Sequence, residues 1–314
     1  MKICFLIDAP WDNWGGGQEH VTQVARKLNE VQGYKVDIIH PQKIRSTFNF
    51  FNFKDRLWFT FWVIKFLITS DYDLYNSHTF STDAFLPIVK LRGRKTAITL
   101  HGVGKNLIEG GILNKLKIPK LLEWIILDLW PFDLKFTAGF RKNFIFVGNG
   151  VNVEDYNKFK KAEKSKKFKV LWLGRKYDPV KGVKYLEEAV KGLDVELDIA
   201  VNTYGEEKIK RFKQADLFVL PSLSEGFPIV LLEAMAAKLP IVTTDVGDCR
   251  KLIEEAKCGL VVPAADSKAL RAAIQKIRKD KDLYGENGYK FVSKNYTWDK
   301  VASIYNSNYR RLNS

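Results

Sequence analysis

Short runs of β-branched and other apolar residues alternate along this chain with segments whose apolar positions recur every three or four residues. In the first half "KICFLID", "KVDIIH", "DLYNSH", "TAITLHG" and "NFIFVGNG" have the character of strands. In the second half "KVLWLGR", "VELDIAV", "DLFVLPS", "PIVTTD" and "GLVVP" have it too. Between them "QEHVTQVARKLNE", "GVKYLEEAVKG" and "SKALRAAIQKIRK" keep helical periodicity. Strand–helix alternation of this kind predicts parallel sheets covered by helices. It occurs twice, on either side of the polar, basic stretch "VNVEDYNKFKKAEKSKK". The expected class is therefore α/β, with two Rossmann-like domains facing across a cleft. In open sheets of this type ligands bind beyond the carboxyl ends of the strands, so the loops there are where chemistry is sought.

Composition narrows the choice of ligand. The chain has 314 residues, of which 51 are Lys or Arg and 36 Asp or Glu, for a formal charge of +15. That excess favours anionic partners: nucleic acid, anionic lipid or phosphorylated small molecules. Cys4, Cys249 and Cys258 lack metal-ligand spacing and read as reduced thiols, which points to a cytoplasmic setting. The opening "MKICFLIDAP" is too short in its apolar run for a signal peptide. The apolar stretch from Leu57 to Thr69 contains Lys65 and falls well short of the roughly 20 residues of a membrane span.

Four strand-end segments carry candidate chemistry. "WGGGQEH" opens the first helix, and Gly16 and Gly17 there would let a ligand approach the backbone near a helix N-terminus; a bland tight turn explains the run equally well. "LGRKYDPVKG" supplies Arg175 and Lys181, cations suited to a diphosphate or simply to a solvated loop. His101 ends "TAITLHG", as a structural or a catalytic histidine. In "SEGFPIVLLEAMAAK" Glu225 and Glu233 lie eight residues apart. Pro228 suits a first helical turn, Gly226 permits a tight bend, and Ile229 to Ala237 propagate a helix. Eight helical steps span about 12 Å. That is too far to share a proton or a metal, and beyond the roughly 5 to 9.5 Å of glycosidase carboxyl pairs. Such a pair suits the two ends of one elongated ligand; the alternative is a helix cap and a solvated side chain.

Taken together, "ADLFVLPSLSEGFPIVLLEAMAAKLPIVTTDVGDCRKLIEEAKCGLVVP" (216–263), "LGR…KG", "LHG", "GGGQEH", "GNGVN" and the closing "YTWDKVASIYNSNYRRL" resemble the retaining nucleotide-sugar glycosyltransferases of the GT-B fold, glycosyltransferase family 4, with its Glu-x7-Glu signature. The resemblance implies an N-terminal acceptor-side domain over 1–150, a nucleotide-sugar-binding domain over 151–296, and a helix over 297–314 crossing back to the first domain. It implies that Glu225 and His101 act at the transferred sugar, with the backbone of Gly226, Phe227 and Pro228 near it. Glu233 would hold the ribose hydroxyls. Arg175 and Lys181 would grip the diphosphate, which the Gly16–Gly17 loop would approach. It further implies retention, a hexosyl group moved to a glycan or lipid-linked acceptor, and no cofactor or metal beyond the donor itself. The chain is short for the family, particularly between "GVKYLEEAVKG" and "ADLFVLPS", where members often hold the base.

Three rival readings stand beside this one. "DYD" at 71–73 offers the Asp-x-Asp of a metal-dependent GT-A transferase, but it precedes a strand. A non-catalytic nucleic-acid binder would account for the charge, although no helix-turn-helix, RRM or zinc pattern is present. A sugar-nucleotide binder without turnover is the third. Finally, "FNFFNFKDRLWFTFWVIKF" (48–66) and "KNLIEGGILNKLKIPKLLEWIILDLW" (105–130) set Lys54, Arg56, Lys65, Lys105, Lys115, Lys117 and Lys120 among aromatic and aliphatic residues. That pattern suits peripheral docking on an anionic membrane at its inner face, or a core helix on the first sheet.

Overall fold

A computed structural model describes residues 1–7, 15–41, 53–79, 83, 85–101, 131–139, 142–160, 167–174 and 178–312. The chain divides into two compact units, one formed by Met1–Gly148 with Trp298–Ser314 and the other by Asn149–Thr297. Both are α/β.

The first unit is built on strands β1 (Lys2–Leu6), β2 (Lys35–Ile39), β3 (Leu74–Ser77), β4 (Lys95–Leu100), β5 (Leu134–Thr137) and β6 (Ile145–Phe146). They form one sheet in the order β2-β1-β3-β4-β5-β6, with every pairing parallel. The connections leave β1 in one direction to β2 and in the other to β3, so the β1/β3 junction is the switch point where α/β sheets bind ligands. Helices α1 (Gly16–Asn29), α2 (Phe53–Thr69) and α3 (Leu86–Leu91) belong to this unit. Central strands are buried on both faces, which is why "ICFL" and "AITL" read as continuous apolar runs rather than alternating ones.

The second unit begins with α4 (Val153–Asn157). Its strands β7 (Phe168–Gly174), β8 (Val195–Val201), β9 (Leu217–Leu220), β10 (Ile241–Thr244) and β11 (Gly259–Val262) pair in the order β11-β10-β9-β7-β8, again all parallel. Here the switch point lies between β7 and β9. Helices α5 (Val183–Val190), α6 (Gly205–Gln214), α7 (Ile229–Ala236), α8 (Cys249–Ala256), α9 (Ser267–Ile277) and α10 (Lys281–Asn295) complete it. Val170, Trp172, Leu217, Val219 and Val242 of the sheet pack against Leu186, Leu270 and Ile274 of the helices.

The last helix, α11 (Trp298–Arg311), returns to the first unit. It is held there by a buried polar chain as well as by apolar packing. The Tyr305 hydroxyl donates to Thr99 Oγ1 at 3.1 Å, and Thr99 donates to Asn76 Oδ1 at 3.1 Å. Asn76 in turn donates to the Tyr309 hydroxyl at 2.8 Å. Burial of phenolic groups and amides in this number is tolerated because the partners satisfy one another.

Two elements depart from the sequence reading. Strand β5 was not expected, because "LKFT" is four residues long and carries Lys135 in a half-buried position. The helix after Gly226 begins at Ile229 with Pro228 at its N-cap. Residues 225–228 are therefore not helical, and only the four steps from 229 to 233 advance at a helical rise. The spacing of about 12 Å assumed helix throughout and does not describe this segment. Gly226 also needs no left-handed backbone; the left-handed glycines nearby are Gly182 and Gly247.

Candidate active site

Each unit gathers its candidate residues at the carboxyl end of its own sheet. In the second unit the loop after β7 ends in a 3-10 turn, Pro179–Lys181, closed by Gly182 at φ 63°. A Cβ on Gly182 would lie 2.0 Å from the Pro221 carbonyl oxygen, so this turn rests directly on the backbone leaving β9. Leu223 N–H donates to Val180 O at 2.7 Å and fastens the two loops together. That contact delivers Lys181 to the switch point, where its Nζ meets Glu225 Oε1 at 2.8 Å. Ser222 donates its hydroxyl to the same oxygen at 2.7 Å. Both members of the ion pair are largely buried, with side-chain exposures of 24% for Lys181 and 10% for Glu225.

A second loop fixes Glu225 from the opposite side. Gly247, between β10 and α8, has φ 53°, and a Cβ there would fall 2.3 Å from Glu225 O and 2.5 Å from Gly226 O. Asp248 N–H donates to Gly226 O at 3.0 Å. Phe227 is buried against Tyr296, and its carbonyl accepts from Asn149 Nδ2 at 3.0 Å. Pro228 follows as the N-cap of α7, and one turn on, Glu233 is buried with its carboxylate paired to Lys208 of α6. Lys208, Ser222, Asn149 and Gly247 were not singled out in the sequence. A lysine in a polar helix and a serine in a loop carry no signal until the fold brings them to a carboxylate. Cys249, next to this loop, has its thiol pushed up to about 12, by burial first and then by the Glu225 charge; it is an inert core group.

In the first unit the histidines converge. His20 sits in the first turns of α1, His78 follows β3, and His101 follows β4. His78 Nδ1 and His101 Nε2 are 2.9 Å apart, with the rings inclined by only 18°. The His20 ring meets the His101 ring at 72° with centroids 4.7 Å apart. Because Tyr305 spends its only proton on Thr99, the 3.0 Å contact between its oxygen and His20 Nε2 requires His20 to donate. A Cβ on Gly17 would be 3.8 Å from the His101 ring, an ordinary contact, so the structure places Gly17 beside His101. Gly16 is exposed at the first position of α1.

The structure thus brings together Lys181, Glu225, Gly226, Phe227 and Pro228 in one unit, with Glu233 one turn further, and Gly17 with His101 in the other. Arg175 lies outside the described residues. Asp71 and Asp73 of "DYD" lie before β3, away from the carboxyl ends. Asp71 pairs with Arg94, and Asp73 accepts from the Lys2 N–H at 2.7 Å. Among the described residues no group of three or more His, Cys, Asp or Glu side chains is arranged to hold a metal ion.

The histidine cluster has a pH consequence. Burial, reinforced by the neighbouring histidines, holds both His78 and His101 well below the ordinary value of 6.5. The unfolded chain then binds protons that the folded chain refuses, so stability is intact above about pH 6.5 and falls as pH drops below it. A melting temperature that declines from pH 7 to pH 5, by clearly less in a His78→Phe variant, is the expected result of differential scanning fluorimetry.

The comparisons with known proteins bear on the second unit most directly. Residues 141–280 match the family model described as Glycosyl transferases group 1. The matched segment contains Lys181, Lys208, Glu225, Glu233 and Gly247. A phosphatidyl-myo-inositol mannosyltransferase of Mycobacterium leprae is 31% identical over 191 residues, half of this chain and half of that protein. The lipopolysaccharide core biosynthesis mannosyltransferase LpcC of Rhizobium leguminosarum bv. viciae is 37% identical over 103 residues, 31% of this chain and 29% of its own length. The chain matches half or less of the length of these two curated relatives. Among solved structures, the sucrose-phosphate synthase of Thermosynechococcus elongatus superposes with a TM-score of 0.82 at 17% identity, over 99% of this chain and 98% of that one. HepE of Anabaena, in complex with UDP, gives 0.71 at 16% identity over the full length of both. At these identities the likeness is one of fold, the two-domain fold of GT-B glycosyltransferases.

Proposed function

We propose that this protein is a retaining glycosyltransferase that moves a hexosyl group from a nucleoside-diphosphate sugar to a glycan or lipid-linked acceptor without a metal ion. The observation that carries the reading is the Lys181–Glu225 pair, 2.8 Å apart at the β7/β9 switch point and inside the segment that matches glycosyl transferases. An ammonium has three donors, and one is directed at Glu225. The other two would serve diphosphate oxygens, with Arg175 as the second cation. Cleaving the glycosyl–diphosphate bond loads negative charge onto the leaving group, and fixed cations in a partly buried site stabilise it as it develops. Glu233 would accept from the ribose hydroxyls, Glu225 would face the sugar beside the backbone of Gly226, Phe227 and Pro228, His101 would contact the transferred sugar, and the Gly16–Gly17 loop would approach the diphosphate. The names of the two curated relatives, both mannosyltransferases, agree with hexosyl transfer.

The test is calorimetric. A thermal-shift screen with UDP, GDP, ADP and their sugar conjugates identifies the nucleotide, since a ligand that binds only the folded state raises its melting temperature. Replacing Lys181 or Arg175 by Ala is then expected to weaken nucleoside-diphosphate affinity about tenfold or more, as a charged hydrogen bond contributes roughly 1.5 to 3 kcal/mol. Unchanged affinity in both variants, or activity abolished by EDTA, overturns the metal-free assignment.

Peripheral membrane association is proposed for the first unit on a specific surface. In α2 the residues Phe59, Val63 and Leu67 face the sheet and are buried, so part of this helix is core. Its outer face carries Phe61, 65% exposed, with Lys65 and Ile68 at the following turns. Leu91, 90% exposed, ends α3, and the adjacent Arg92 donates to the carbonyls of Leu67 and Ser70. Apolar side chains beside basic ones suit an anionic headgroup layer, at about 1 kcal/mol per cation near the surface. The segment 105–130 lies outside the described residues. Among those residues no helix is long and apolar enough to cross a membrane. Co-sedimentation should show binding to phosphatidylglycerol vesicles but not to phosphatidylcholine ones. It should fall as salt rises and weaken when Phe61 and Leu91 are both replaced by Ser. Equal binding to neutral vesicles, or none to either at low salt, removes the proposal.

A further inference from the structure

His78, which has no part in the family resemblance, stands in direct contact with His101, which does. The Nδ1···Nε2 separation from His101 is a hydrogen-bonding distance, so one of the two nitrogens bears a proton and the other a lone pair. The outer nitrogens, His78 Nε2 and His101 Nδ1, are both buried and have no hydrogen-bond partner among the described residues. Both rings are neutral, because burial disfavours the imidazolium in each. A neutral pair then has only two arrangements. Either His78 donates and His101 presents an N–H at Nδ1, or His101 donates and His78 presents an N–H at Nε2.

The two arrangements are unequal. An unsatisfied buried N–H is rarer and costlier than an unsatisfied acceptor. With His101 as donor, the orphan N–H would sit on His78, which is only 3% exposed. With His78 as donor, the orphan N–H sits on His101, which as a whole residue is less enclosed, at the end of β4 beside the start of α1. Its Nδ1 is itself covered in the free protein, so an oxygen satisfies it only when a bound ligand takes the place of what covers it. His20 closes the alternative of a freely rotating ring, since its own orientation is fixed by Tyr305 and its ring abuts that of His101 edge to face.

We propose that His78 is a positioning residue that donates Nδ1–H to His101 Nε2, and so makes His101 Nδ1–H a fixed donor to a hydroxyl oxygen of the transferred sugar. This rests on the glycosyltransferase reading given above. A donor left without a partner in the free protein and satisfied on binding favours the ligated state. It also selects for a substrate group with a lone pair at that point. Preorganisation of this kind adds to catalysis without any movement at the moment of reaction.

The experiment joins a tautomer measurement to kinetics, using the full chain. Long-range 15N–1H spectra of histidine-labelled protein report which ring nitrogen of His101 is protonated, with His101→Asn supplying the assignment. Donor hydrolysis is followed with UDP-glucose, GDP-mannose and ADP-glucose. In the unsubstituted protein His101 is expected to be protonated at Nδ1 and bare at Nε2. His78→Phe, which keeps an aromatic ring but no donor, should let His101 shift toward the Nε2–H form and lower kcat at least tenfold, with a smaller change in KM. His78→Asn, whose carboxamide places an N–H where Nδ1 stands, should restore both. An Nε2–H tautomer of His101 in the unsubstituted protein overturns the proposal with no variant needed. So does an unchanged tautomer, or an unchanged kcat, in a folded His78→Phe variant. If His78→Phe does not fold, the spectra of the unsubstituted protein and of His78→Asn decide. The predicted tautomers in a protein that hydrolyses none of the three donors would instead count against the glycosyltransferase reading.

Discussion

Replacing Gly247 by Ala is expected to cut donor turnover about a hundredfold although the residue touches no substrate, the loss seen when a reacting group is displaced by roughly 1 Å. The new Cβ would fall within 2.3 Å of Glu225 O and 2.5 Å of Gly226 O, so the loop bearing Glu225 must move. The left-handed φ of 53° adds strain of roughly 1 to 3 kcal/mol, which lowers the melting temperature by several degrees. Gly192 supplies the control. It has φ 75° but nothing within 4 Å of a built Cβ, so Gly192→Ala should destabilise by strain alone and leave kcat unaltered. Steady-state kinetics and thermal unfolding of both variants separate displacement from strain. Wild-type turnover in Gly247→Ala would mean that the position of Glu225 does not matter to the reaction.

Glu233→Ala and Glu225→Ala are expected to fail in different ways. Glu233 is buried in α7, one turn past its start, and paired with Lys208. Removing it takes away the proposed ribose acceptor, so nucleoside-diphosphate affinity should drop at least tenfold. Glu225 is held by Lys181 and Ser222 at the point where the sugar is proposed to lie. Its loss should leave nucleotide affinity nearly intact and lower kcat, as expected of an interaction made chiefly in the transition state. Because Lys181 would also be released toward the diphosphate, nucleotide binding in Glu225→Ala should be unchanged or slightly tighter. Calorimetric titration with the nucleotide, set beside turnover, reads both. Equal losses of nucleotide affinity in the two variants would contradict the division.

The chain's own pattern determined a good deal of this. Apolar runs such as "ICFL" and "LFVL" can be satisfied only when both faces are covered, so strand existence and parallel pairing follow from local composition. The glutamate pair, Lys181 and His101 stand out as candidates because the segments around them resemble a known family, and the roles given to them above are proposals. Strand β5 was not legible, since four residues with a lysine among them carry too little periodicity to outweigh a loop. What the tertiary structure alone decided is which ordinary residues join those sites. His78, Lys208, Ser222 and Gly247 lie 23, 25, 3 and 22 residues from the groups they serve. The buried chain from His20 through Tyr305, Thr99 and Asn76 to Tyr309 spans nearly the whole sequence. The physical reason is that periodicity reports which way a residue faces within its own element. Which side chain it meets is set by strand order and loop contact, and a single sequence records neither.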